Sequence, residues 1–415
     1  MAGGGAATLR IKATIIDLAQ RFTYTLRRGM AIVPGLCRLL HLPGYRIRSL
    51  KDWVERERGR MDWWQRVHAP GYETIAPMSI EARFPAPEWI LPEHEWARKD
   101  VGRYHIFGEI YLASIPGGRV LGPNGTVVTP DGGIVEESGW CNGYLEKDRS
   151  LTALRLPRPE RLPGHFFYLG GDLVRGYSHW LFDALPRLMM LERVSRPGIQ
   201  LILFGKLNQW QADSLRLLGY DRCDILELRD RHIECEVLHF PSAVGETGSL
   251  SPRALGFLRQ RLLGGRAPDR AGHRRLYISR RLAGRRHIVN EDELMPILQS
   301  KGFEVVMTEQ MPFEEQVALF AEADIVIGAH GAGLSNLAFA PANCRLLEIL
   351  PPTCPRWMYY LLCAQLGQKY FYLIADETIP AGGHHRDAGF DNIELRPEAL
   401  TRALDTIPAS ARGRA

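Results

Sequence analysis

The chain has 415 residues, 45% of them hydrophobic and 24% charged, with a formal net charge of +5. At about 150 residues per domain it should hold two or three domains, and no stretch reaches the roughly 18 unbroken apolar residues of a membrane span. Its seven cysteines (Cys37, Cys141, Cys223, Cys235, Cys344, Cys354 and Cys363) are odd in number, scattered and without a CxxC pair, which argues against a disulfide framework or a zinc ribbon and for reduced, mostly structural thiols.

The positive charge is concentrated near the start, where residues 10–66 carry thirteen Lys/Arg against five Asp/Glu. Apolar spacing from Ile11 to about Val67 is helical but interrupted at Pro34 and at Pro43-Gly44, so residues 1–70 read as an appendage of short helices. With Phe22, Tyr24, Trp53, Trp63 and Trp64 among the arginines, this composition suits either a solvated helical subdomain or peripheral contact with an anionic membrane, where each Lys or Arg contributes about 1 kcal/mol. No zinc finger, RNP-type strand or basic-region heptad accompanies it, so nucleic acid is not an expected partner. Met1–Phe22 has neither an h-region nor a small-residue cleavage site, which leads us to expect a cytoplasmic protein.

Residues 71–249 read as a first domain. Up to about Tyr168 the β-branched and aromatic runs, such as Tyr104–Leu112 and Thr126–Thr129, are separated by Pro116-Gly117-Gly118, Asn124-Gly125 and Asp131-Gly132-Gly133, the turn chemistry of hairpins. Asn124-Gly125-Thr126 also spells a glycosylation sequon, but the Asn-Gly pair is better explained as a tight turn that needs φ > 0. Beyond Phe167 the pattern alternates, with a helix near His179–Val194, a strand at Gln200–Phe204, a helix near Gln209–Leu218 and strands around Ile225 and Val237.

A second domain, residues 250–380, opens with Ser251-Pro252, a capping hydroxyl followed by proline at the first helical position. After a Gly/Arg/Pro-rich loop, strands at Arg275–Ser279, Phe303–Thr308, Asp324–Gly328, Arg345–Leu350 and Tyr370–Ile374 alternate with helices at Asn290–Gln299, Phe313–Glu322 and Trp357–Leu366, the spacing of parallel βα units. Residues 381–415 read as a tail, in which His384, His385 and Asp387 lack further ligands at metal-site spacing.

Two segments carry chemistry. In Ala323–Asn336 an apolar strand runs into His330-Gly331-Ala332-Gly333 and then an apparent helix, an arrangement that presents N–H groups and a positive helix end to an anion. The glycines let the backbone turn and approach a ligand with no Cβ in the way, although Gly-x-Gly turns also close strands against helices with no ligand at all. Arg280, Arg281, Arg285, Arg286 and His287 crowd the loop after the Arg275–Ser279 strand, and their forked cations suit phosphate, as they would any solvated basic loop; Arg280 lies nearest the strand's carboxyl end. Earlier, Ser178 begins a helix on which His179, Asp183 and Arg187 recur every four residues as a polar stripe. A carboxylate beside an imidazole orients it and raises its basicity, so either Asp183 or His179 suits the removal of a hydroxyl proton.

The segments Gly176-Tyr177-Ser178-His179-Trp180-Leu181-Phe182-Asp183-Ala184-Leu185-Pro186-Arg187-Leu188, Leu276–Arg280 and Gly328–Asn336, in this order, resemble glycosyltransferase family 61 of the bacterial capsular and surface-polysaccharide type. The resemblance covers about Phe166–Ile374. It implies an α/β, GT-B-like fold with two Rossmann-like domains facing a cleft, inversion at the anomeric carbon and no catalytic metal or other cofactor; consistent with this, no Asp-x-Asp diphosphate clamp is present. By the same resemblance a nucleotide-sugar donor is held by Arg280, His330, Gly331, Ala332, Gly333 and Asn336, with Glu348 on the ribose. Asp183 or His179 is the expected base, Asp183 being slightly favoured; the basic N-terminus and the lack of an export signal suggest a glycan or lipid-linked acceptor at the inner membrane face. A dinucleotide dehydrogenase fits less well, because the turn lacks the full G-x-G-x-x-G and comes late in its domain. The alternative from another class is a non-catalytic nucleotide-sugar-binding or scaffold subunit.

Overall fold

A computed structural model describes residues 44–60, 71–76, 79–81, 105–107, 109–122, 124–138, 158–194, 197–246, 249–264, 272–351, 358–377 and 392–407. Most of the basic N-terminal stretch, Cys37, Cys141, Cys354 and the His384/His385/Asp387 group lie outside these residues.

The first half is built on a ten-stranded mixed sheet. Its strands are β1 (Gly44–Arg48), β2 (Gly71–Ala76), β3 (Ile110–Pro116), β4 (Arg119–Leu121), β5 (Thr126–Val128), β6 (Gly133–Val135), β7 (Glu160–Gly170), β8 (Gln200–Leu203), β9 (Asp224–Glu227) and β10 (His232–Pro241). The order β1-β6-β5-β4-β10-β7-β8-β9, with β3 bridging β10 and β2, places the antiparallel hairpins on one side and four parallel strands, β10, β7, β8 and β9, on the other. Gly125 takes φ +77° in the turn between β4 and β5, as the Asn-Gly pair requires. That turn lies directly on the end of β7: a Cβ on Gly171 would sit 1.7 Å from Asn124 O.

The N-terminal appendage differs from the expectation of helices alone. Gly44–Arg48 is a strand that joins the large sheet beside β6, and helix α1 (Leu50–Arg60) buries Leu50, Trp53 and Val54 against the outer face of that sheet. The Trp53 indole donates to Asp131 Oδ1 at 3.0 Å, which fixes the helix to the β5–β6 turn.

The second sheet is wholly parallel, with β11 (Arg274–Ile278), β12 (Glu304–Val306), β13 (Ala323–Ala329), β14 (Arg345–Leu350) and β15 (Lys369–Ile374) in the order β12-β11-β13-β14-β15. Its central strands β13 and β14 are buried along their whole length, as expected where helices cover both faces. On the outer face α4 (Glu291–Ser300) and α7 (Pro397–Thr406) pack on Ile325, Ile327, Leu347 and Ile349 through Leu294, Leu298 and Leu400. Residues 393–407 are therefore part of this half and not a loose tail: Ile393, Leu395, Leu400 and Ile407 are buried in its core, a gain that outweighs leaving the amphipathic helix in water.

Between the two sheets helices pack on one another: the segment 177–191, α2 (Gln209–Leu217), α3 (Pro252–Leu262), α5 (Phe313–Ala321), the 3-10 helix Ala332–Phe339 and α6 (Met358–Leu366). Leu169, Leu201 and Leu203 from the first sheet and Leu276, Ile278, Val326 and Leu346 from the second meet in the same continuous core. Ser251 caps α3, its Oγ accepting from Ala254 N at 3.2 Å. Among the described residues no helix is long and apolar enough to cross a membrane. Cys235, Cys344 and Cys363 are buried free thiols and Cys223 a half-buried one, with burial pushing the Cys235 and Cys344 thiols up to about 12.

Two glycines separate packing from propensity. Gly171→Ala drives a methyl into backbone and should cost about 2 kcal/mol or more, whereas Gly256→Ala, on an exposed face of α3 with nothing within 4 Å, should gain about 0.5–1 kcal/mol. Thermal unfolding reads both as opposite shifts of the midpoint.

Candidate active site

In the second sheet the chain runs outward from β11 to β12, then crosses back over β11 to β13, so the strand order reverses between β11 and β13. Open α/β sheets bind ligands outside the carboxyl ends of the strands at such a reversal. The residues found there are Ser279-Arg280 after β11 and His330-Gly331 after β13. The first sheet reverses in the same way between β10 and β7, and the carboxyl end of β7 leads through Gly171-Asp172 into the segment that holds His179 and Asp183.

Arg280 is half-buried, and its guanidinium hydrogen bonds among the described residues go to main-chain carbonyls: Nε to Arg286 O at 3.3 Å and Nη2 to Arg285 O at 2.9 Å. Burial lowers its pKa, partly offset by the charge of Glu309 and by Tyr359, so the cation is held short of water. The third nitrogen, Nη1, lies over the glycine turn, 1.9 Å from where a Cβ on Gly331 would be. Gly331 has φ −178°, an extended conformation open to any residue; it must be glycine here for lack of room. Gly333 is similarly confined, since its Cβ would meet Thr308 Oγ1 at 2.8 Å. Ala332 and Gly333 are half-exposed at the rim, where the 3-10 helix begins and its first N–H groups point out of the ladder.

The remaining arginines of the loop divide. Arg281 is engaged with Glu291 Oε2 at 2.9 Å and with Asp292, which offsets its charge, while Arg285 is exposed. Arg286 stands at φ +53°, a backbone conformation that costs energy for a non-glycine residue, and its charge, like that of Arg280, acts on the Tyr359 phenol. Tyr359 was not anticipated from sequence. It reaches in from α6 to donate to Gly331 O at 2.5 Å, and burial raises its pKa so that it stays a donor.

His330 is placed by Glu348. The carboxylate, fully buried, accepts from His330 Nδ1 at 2.5 Å and from the Tyr370 hydroxyl at 2.7 Å. With no exposed surface and both oxygens engaged, Glu348 is an orienting group for the imidazole and not the ribose contact that the resemblance implied. Asn336 departs from its expected role in the same manner: it is fully buried, and all its polar atoms are used within the protein.

His179 and Asp183 do come together, Nδ1 lying 2.7 Å from Oδ2. Their exposures differ: the His179 side chain is 27% exposed and that of Asp183 only 10%, so the imidazole faces the solvent side with the carboxylate behind it. The segment is not a continuous α-helix. Pro186 has no N–H to continue the ladder, and a π-turn forms over Trp180–Ala184, with Leu185 N bonded to Trp180 O five residues back, before a 3-10 turn at Leu185–Arg187. This shift turns Arg187 away from the expected stripe; it is 2% exposed, donates to Leu169 O at 3.1 Å and lies 5.7 Å from the centre of the Tyr168 ring.

Residues 177–347 match the family model described as Glycosyltransferase 61, a span that contains both faces of the site except Glu348. Among curated proteins, the chain is 36% identical over 121 residues to an EGF domain-specific O-linked N-acetylglucosamine transferase of Drosophila melanogaster, covering 27% of this chain and 22% of that protein. It is 33% identical over 181 residues to a beta-1,2-xylosyltransferase of Oryza sativa subsp. japonica, covering 41% and 26%, and 34% identical over 116 residues to an alpha-1,3-arabinosyltransferase of the same plant, covering 27% and 16%. The chain thus spans about a quarter or less of the length of these relatives. Together the family match and the relatives support a glycosyltransferase; as animal and plant proteins, the relatives lend no support to a bacterial capsular type.

A methyl at Gly331 collides with the far end of a flexible side chain and not with backbone, so Gly331→Ala should fold normally with Arg280 displaced. Nucleotide affinity should fall about tenfold or more, the loss of one charge-assisted contact, with an unchanged unfolding midpoint; calorimetric titration and thermal unfolding together check this.

Proposed function

We propose that the protein is a glycosyltransferase that moves a sugar from a nucleotide-sugar donor to a hydroxyl group by direct displacement, with inversion at the anomeric carbon and no catalytic metal. The observation that carries this reading is Arg280, a desolvated guanidinium lodged over a Cβ-free turn where the strand order reverses. A half-buried cation beside outward N–H groups favours a diphosphate, and it does so most strongly as charge builds on the leaving group. Arg280, His330 and the Gly331-Ala332-Gly333 turn then bind the donor diphosphate, supplying the positive charge that a metal provides in other transferases.

His179 acts as the base. Its Nδ1–H donates to Asp183, which leaves Nε2 to take the proton of the acceptor hydroxyl, and the carboxylate stabilises the imidazolium that results. The acceptor oxygen attacks the anomeric carbon while the bond to the diphosphate breaks; the nucleoside diphosphate departs onto Arg280 and the turn. Asp183, favoured slightly from sequence, becomes the residue that aims the base. The wider setting belongs to the same proposal: a GT-B-like enzyme, cytoplasmic and peripheral at the inner membrane face through its basic N-terminus, acting on a glycan or lipid-linked acceptor in surface-polysaccharide synthesis. The relatives' names, which specify N-acetylglucosamine, xylose and arabinose, suggest the range of donor sugars to try first.

A panel of nucleoside diphosphates and nucleotide sugars in EDTA should raise the unfolding midpoint for one base, and Arg280→Ala should abolish the shift. Binding that appears only when a divalent metal is added would refute the metal-free site. His179→Ala should lower turnover by about 100-fold or more, the usual worth of a general base, and leave nucleotide binding intact; normal donor binding without turnover in the wild-type chain on any acceptor would favour the scaffold role.

A further inference from the structure

The His179–Asp183 pair belongs to the first half of the chain and the Arg280–Gly331 cradle to the second, so transfer requires something to hold one against the other. Tyr177, two residues before His179, carries such a contact. Its hydroxyl donates to Asn336 Oδ1 at 2.5 Å, and Asn336 lies in the 3-10 helix that grows from the glycine turn. Burial of the phenol pushes its pKa up, which keeps the proton on and the donation in place.

The bond is part of a chain. Asn336 Nδ2 donates to Gly333 O at 3.1 Å, inside the turn, and to Gln316 Oε1 at 2.9 Å; Gln316 Nε2 in turn donates to Thr308 O at 2.9 Å and Met311 O at 3.0 Å. Carbonyl oxygens can only accept, so both amides have one orientation and Asn336 has only Oδ1 left for Tyr177. Thr308 is also the residue that closes on Gly333. The loops that leave β12 and β13 are thereby tied to Tyr177 through Asn336 and Gln316, both buried and with every side-chain polar atom bonded, the condition under which a polar network becomes rigid. The Tyr177 ring is held independently of its hydroxyl, 5.2 Å from the Trp210 ring and 6.2 Å from that of Phe313.

From this geometry we infer that Tyr177 is a positioning residue for transfer: its hydrogen bond to Asn336 sets the His179–Asp183 pair against the donor turn. The inference rests on the function proposed above. It touches neither donor nor acceptor and acts only through His179.

Tyr177→Phe removes the hydroxyl and keeps the ring. Because small misplacements of a reacting group are costly, kcat should fall about tenfold or more, while donor Kd stays within about twofold and the unfolding midpoint holds. In the His179→Ala background the same substitution should produce no further loss, since two residues that act through one group are not additive. A Tyr177→Phe enzyme with wild-type kcat would overturn the inference, as would equal losses in kcat and donor affinity, or additive losses in the double variant. Full turnover by His179→Ala alone would instead sink the reading of the base; an inactive His179→Ala beside a fully active Tyr177→Phe would sink the positioning contact and leave that reading standing.

Discussion

The packing of helices between the two sheets, in one continuous core, is the constraint from which the rest of the arrangement follows. Leu169, Leu201 and Leu203 on one side and Leu276, Val326 and Leu346 on the other are buried in one continuous core with the helices that pack between them. At about 1.5–3 kcal/mol for each large apolar side chain taken from water, separating the halves exposes far more than polar contacts at the rim could offset. The segment 177–191 and the 3-10 helix Ala332–Phe339 both belong to that core, so the packing that stabilises the molecule also sets the elements that carry His179 and Gly333 against each other.

Charge is distributed around this core with economy. The buried carboxylates Asp183 and Glu348 each face a histidine nitrogen, and Asp324 faces Arg345, whereas the guanidinium of Arg280 is bonded to neutral carbonyls. A cation left with dipoles for company retains most of its field for an incoming anion, which an ion pair such as Arg281–Glu291 does not. Local chemistry thus separates Arg280, bonded to main-chain carbonyls, from its neighbour in sequence, which is paired with carboxylates.

Much of this was readable from the chain. Period-2 runs, Asn-Gly and Ser-Pro signals act locally, and so the hairpins, the capped α3 and the alternating βα units stand close to where composition places them. What escaped was nonlocal or subtle. The pairing of Gly44–Arg48 with β6 joins residues some ninety positions apart through a register no local pattern reports. The π-turn at Trp180–Ala184 has only Pro186 as a hint, and by moving the phase of the helix it buried Arg187. Glu348 and Asn336 sit in the right motifs but face inward, because the strand is buried on both faces and the 3-10 helix is buried from Leu334 to Phe339. Tyr359 lies in an apolar helix about thirty residues beyond the turn it supports, and nothing near it in sequence marks it.

The extended backbone of Gly331 has a consequence for how this site can change. Nothing in its φ of −178° forbids a side chain; only the arginine head above it does. The residues at 280 and 331 are therefore a matched pair in volume. In a library randomised at both positions, arginine at 280 should be recovered with glycine at 331, and shorter residues at 280 should admit alanine or serine opposite. Such variants would exchange a fixed cation for open space, and a lineage that took this route would need to find its positive charge elsewhere.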